Sequence, residues 1–157
     1  MKNYLLLMAL IISVGACNTD ALEPKFQGIE HLMLGELTAT KVSISADAVI
    51  YNPNQVSIYL NTIELDVFAN NLKVSHIIQT KQTEIAKKDN FNIPLALSFN
   101  PTELFKDNLM GLLGSALSSL RKEKVVLEFI GYAQFEVKGI KFTVPIKYRD
   151  EILLKEE

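Results

Sequence analysis

The sequence of 157 residues contains one cysteine, no tryptophan and two histidines. A single thiol forms no disulfide within the chain and cannot hold a metal alone. His31 and His76 lie far apart, with neither a His-x-x-His pair nor a cysteine at zinc-ligand spacing. No Gly-x-Ser-x-Gly elbow and no phosphate-cradling glycine loop occurs. The formal net charge is −2, with no basic cluster, which is a poor footprint for nucleic acid. These absences leave no metal, no cofactor and no catalytic constellation to build on, so the expected protein is not an enzyme. A long hydrophobic run is also missing after the first residues. Only the N-terminus holds one, and it covers residues 4–16. Crossing a bilayer as a helix takes roughly 20 residues.

What is present at that end is Met1-Lys2-Asn3, then "YLLLMALIISVGA", then Cys17. A positive residue, an apolar core and small residues at the end form the three-part pattern of a secretory signal. Val14-Gly15-Ala16-Cys17 resembles the lipobox of bacterial lipoproteins. The resemblance implies that the Cys17 thiol receives a diacylglyceryl group, that cleavage occurs before it, and that the new amine is acylated. Plain secretion would instead leave an unpaired thiol in an oxidising compartment. Two or three acyl chains give stable anchoring, at about 0.8 kcal/mol per buried CH₂, where one is marginal. Asn18, in place of aspartate, points by the same resemblance to the outer membrane. The expected organisation is a signal peptide over 1–16, a lipid-attached tether over 17–28, a folded domain over 29–150 and a polar tail over 151–157. The partner expected from this end of the chain is the membrane itself, reached through acylated Cys17. A protein, lipid or glycan ligand stays open.

Period-2 alternation dominates the rest of the chain. Val42, Ile44, Ala46, Ala48 and Ile50 share one face. Val56, Ile58 and Leu60 line up, and Ile63, Leu65, Val67 and Ala69 follow out of phase, which predicts a bulge at Asn61-Thr62. Asn70-Asn71 reads as a two-residue hairpin turn, because asparagine tolerates positive φ, with Leu72, Val74 and His76–Ile78 on the return strand. Phe91, Ile93, Leu95, Leu97 and Phe99 form another face, and Pro94 predicts an edge position or a bulge. Two long strands meet at Lys138-Gly139. One segment differs. Asn100 as N-cap, Pro101 at the first helical position and Glu103 three residues after the cap predict a helix over 101–121, with Phe105, Leu109, Leu112, Leu113, Ala116 and Leu120 on one face. The expected fold class is mainly β: an antiparallel, immunoglobulin-like two-sheet sandwich with one helix.

The stretch "VIYNPNQVSIYLNTIELDVFANN" carries the one sharp internal motif, Asn52-Pro53-Asn54. Pro53 presets φ and the flanking asparagines can bond the local backbone, so the motif reads as a structural turn. In this setting it resembles the late embryogenesis abundant group 2 domain, also called the water stress and hypersensitive response domain. The similarity extends over roughly residues 30–148 through the later apolar strand, the helix, and the closing pair with Gly131, Gly139 and Pro145. It implies a compact antiparallel sandwich without known catalytic residues and an association with stress tolerance. Glu64 and Asp66, two apart on one strand, are a carboxylate pair of the kind that can do acid–base work. Alternating with Ile63, Leu65 and Val67, they read as a solvated outer face.

Overall fold

The computed structural model describes residues 20–38, 40–103 and 124–153. Eight strands run in the order β1 (Lys25–Leu37), β2 (Val42–Tyr51), β3 (Ile58–Ala69), β4 (Leu72–Gln79), β5 (Thr83–Ile85), β6 (Asn90–Phe99), β7 (Lys124–Val137) and β8 (Ile140–Leu153). They form two antiparallel sheets, β1-β2-β6 and β4-β3-β7-β8, with β5 also pairing β3. The fold is the expected β-sandwich. The apolar faces explain why it closes. Val42, Ile44, Ala46, Ala48 and Ile50 of β2, with Ile93, Leu95, Leu97 and Phe99 of β6, are buried together with Ile63, Leu65, Val67 and Ala69 of β3 and Leu127, Phe129, Ala133 and Phe135 of β7. Each fully buried large aliphatic or aromatic side chain contributes about 1.5–3 kcal/mol.

Local chemistry sets the register. The pairing of β3 with β7 slips between Leu60 and Thr62, so both apolar sets of β3 reach the core. Asn70 and Asn71 have φ of 47° and 67°, the left-handed pair that a tight hairpin requires. Lys138 and Gly139, at 51° and 80°, make the second such turn. Pro94 sits on β6, an edge strand, where its missing N–H costs no central ladder bond. The carbonyl of Pro94 accepts from Gln79 Nε2 at 2.7 Å, linking the neighbouring edges of the two sheets.

Two details depart from the sequence reading, both at the ends of the domain. β1 begins at Lys25, so residues 25–28, read as tether, belong to the three-stranded sheet. Its pairing with β2 shifts register three times, and His31 has φ of 51°. These irregularities break the alternation that would have announced a strand. β4 is the expected return strand, and a register shift sets its face: Ile77 is 7% exposed while Ile78 is 54% exposed, so His76 and Ile78 point away from the core. Ile140 is exposed beside the turn. β8 continues to Leu153, which pairs with Lys124 inside the segment read as a tail. The expected helix is described only at its start. Thr102 N–H and Oγ1 donate to Asn100 Oδ1 at 3.0 and 2.8 Å over a single 3₁₀ turn, Pro101–Glu103. Positions 104–121 of the expected helix lie outside the described residues.

Candidate functional site

The Asn52-Pro53-Asn54 turn joins β2 of one sheet to β3 of the other. Its two asparagines are the buried polar side chains among the described residues, 0% and 4% exposed. A buried amide must find partners or cost free energy, and these find them across three chain segments. Asn52 Nδ2 donates to Val56 O at 3.0 Å and Ala86 O at 2.9 Å. Asn52 Oδ1 accepts from the Asn54 N–H at 2.9 Å and from Asn54 Nδ2 at 3.0 Å. Asn54 then reaches out of the turn. Its Oδ1 accepts from Leu22 N–H and its Nδ2 donates to Leu22 O, both at 2.8 Å. One side-chain amide thus pairs with both backbone groups of Leu22, as a neighbouring strand would. Backbone bonds complete the knot, from Asn52 N–H to Asp89 O at 2.9 Å and from Lys88 N–H to Asn54 O at 3.2 Å. No buried side-chain polar atom is left without a partner among the described residues.

The second grouping lies on the outer face of the larger sheet. Register places Asp66 opposite His76 of β4 and Glu64 opposite Tyr132 of β7. Asp66 Oδ1 meets Lys73 Nζ at 2.7 Å and His76 Nδ1 at 2.6 Å, while His76 Nε2 is 3.8 Å from Glu64 Oε1. Tyr132 Oη donates to Glu64 Oε2 at 2.6 Å. Bonds from Lys73 first, then His76, hold the Asp66 carboxyl below the usual carboxylate range. The hydrogen bond to Glu64, aided by desolvation, raises the Tyr132 phenol above its ordinary value. The two groups are therefore held in their neutral-pH forms, Asp66 as carboxylate and Tyr132 as phenol. Neither is tuned to exchange protons near pH 7. Sequence spacing identified the carboxylates but could not supply Lys73, His76 or Tyr132, which the register brings.

The two histidines are not brought together. His31 sits on β1 with Asp47 Oδ2 at 2.9 Å, and His76 is on the other sheet. No group of three or more His, Cys, Asp or Glu side chains could hold a metal among the described residues. A depression of about 270 Å³ beside the β3 bulge is lined by Asn61, Gln134, Phe135, Lys141, Phe142 and Thr143, with no carboxylate or imidazole among them. Gly139 occupies the turn expected of it. Cys17 lies outside the described residues.

A family model for late embryogenesis abundant proteins, LEA_2, matches residues 47–150, from mid-β2 into β8 and including the asparagine turn. This chain belongs to that family. The match leaves out Leu22, so the Asn54 side chain ties a segment outside the matched LEA_2 region to the motif within it. Solved structures share the sandwich. A solution structure of a protein from Arabidopsis thaliana superposes with a TM-score of 0.65 at 15% identity, covering 90% of this chain and 89% of that one. A crystal structure of a protein from Archaeoglobus fulgidus gives 0.54 at 15% identity over 85% and 100%. A solution structure assigned to the late embryogenesis abundant group gives 0.55 at 12% identity over 85% and 72%. At such identities the likeness is one of fold. No curated protein matches the LEA_2 chain in sequence.

Proposed function

We propose that this protein is a lipid-anchored, non-enzymatic LEA_2 domain of the bacterial cell envelope that binds or organises a partner at the membrane surface. The observation that carries the reading is Val14-Gly15-Ala16-Cys17 at the end of the apolar run. In this reading Cys17 is the mature chain's first residue, and its acyl chains hold the domain at a bilayer, the outer membrane by the Asn18 criterion. The outer-face network supports the non-enzymatic part, since Asp66 and Tyr132 are held in their ordinary charge states on an open sheet face. Intact mass and membrane fractionation of the native protein beside Cys17→Ala test the anchor. A mature form starting at Cys17 with added acyl mass, absent from the variant, is the expected result. A soluble, unmodified native protein overturns it. Hydrolytic or transferase turnover by the purified protein would overturn the non-enzymatic assignment.

Membership of the LEA_2 family favours a second reading, protection of the envelope during water loss. Its warrant is family association rather than site chemistry. Cells with and without the gene are dried and survivors counted, and equal survival removes it.

A further inference from the structure

We infer that the sandwich faces the bilayer with the end that holds Leu22, the asparagine turn and residues 86–89. This rests on the anchoring of Cys17. Ala21 packs against the core, and Leu22 is clamped through both backbone groups by Asn54. The chain length from Cys17 to Leu22 therefore sets an upper bound on how far the anchor can stand from this end. Five residues span at most about 17 Å when fully extended. The far end of the smaller sheet, at Thr40, is separated from this end by the whole of β2, Val42–Tyr51, about 30 Å of strand. The tether lets the Leu22 end touch the headgroups and is too short to turn the Thr40 end toward them. Residues at the near end suit a wet interface. Leu22 is 49% exposed, an apolar side chain next to the anchor. Charge does not decide the orientation. The exposed lysines Lys25, Lys87 and Lys88 are matched there by Glu23, Glu84 and Asp89. The occupant of this end is the headgroup layer itself, whatever its charge.

The test uses the full protein, extracted from membranes and returned to vesicles. Fluorophores are placed at Gln55→Cys and Thr40→Cys, whose native side chains are exposed, and the vesicles carry a nitroxide on the lipid headgroup. Quenching at position 55 should exceed that at position 40 several-fold. The ratio should hold in zwitterionic and anionic vesicles and in high salt, because reach rather than screened charge sets it. Inserting a Gly/Ser spacer of about 20 residues between Thr19 and Asp20, with a reach of roughly 25 Å, should bring the ratio toward one without touching the fold. Equal quenching with the native tether overturns the orientation even when acyl mass and membrane fractionation uphold the anchor. A ratio that collapses in zwitterionic vesicles or in high salt overturns the tether as its cause. A chain without acyl mass that stays off the vesicles overturns both.

Discussion

At Asn52 one side chain serves five bonds: its amide donates to Val56, Ala86 and, at 3.4 Å, Ile85, and its oxygen accepts twice from Asn54. The Asn52 side chain itself is buried, and its bonds to Asn54 are buried with it, so truncation leaves those partners unsatisfied. Asn52→Ala should cost about 3 kcal/mol of stability, since each unsatisfied buried group costs roughly 1–3 kcal/mol. Urea midpoints of the two proteins, compared at unchanged slope, measure it. A loss within experimental error of zero would show that the turn is held by Pro53 and the backbone alone. The sequence indicated that these asparagines shape a turn. It did not indicate that Asn54 holds Leu22, because a bond across 32 positions leaves no local pattern.

At the scale of elements, β3 and β7 approach so closely at one point that only glycine fits. A Cβ on Gly131 would run into the backbone of Glu64 and Leu65. Backbone cannot swing aside as a side chain can, so Gly131→Ala should destabilise by about 3 kcal/mol, the upper range for overpacking. Thermal or urea unfolding checks this. On the outer face of the same strands, Asp66 has a folded pKa depressed by Lys73 and His76. A depressed carboxylate contributes stability above its unfolded value, about 3.9, and loses it as pH falls through the folded value. The melting-temperature gap between the native protein and Asp66→Asn should thus be present at neutral pH and shrink as pH drops below about 4. A gap that stays constant into strong acid would mean that the charge pairing contributes nothing. Alternation made these strands legible from the sequence. β1 was not legible, because three register shifts and a positive φ at His31 scramble its period.

For the whole molecule, the fold and the proposed anchor are expected to be separable. Among the described residues, the buried core runs from Ile29 to Ile146 across the two sheets. Cys17→Ala should therefore leave the melting temperature of the purified protein within about a degree of the native value, as surface changes do, while abolishing its membrane fraction. A large loss of stability would mean that the segment around Cys17 is part of the fold. Retention at the membrane would mean that another surface binds lipid. The same separation explains why solved structures of 12–15% identity share the sandwich. Two sheets can be closed by many apolar sequences of the right period, whereas an anchor needs particular residues at one place.

The sequence by itself determined the strand periods, the phase change at Asn61-Thr62 and the two left-handed turns, and it narrowed Pro94 to an edge or a bulge. Each of these is written in neighbouring residues, because side-chain alternation and φ preference act locally. It also holds the whole case for the anchor, since a lipobox is read as a short linear segment. Only the tertiary structure decided which sheet each strand joins, that residues 25–28 belong to it, and that Lys73, His76 and Tyr132 gather on Glu64 and Asp66. It alone decided that Asn54 reaches back to Leu22. Those outcomes depend on register across distant strands, where a shift of one residue exchanges every partner and every face.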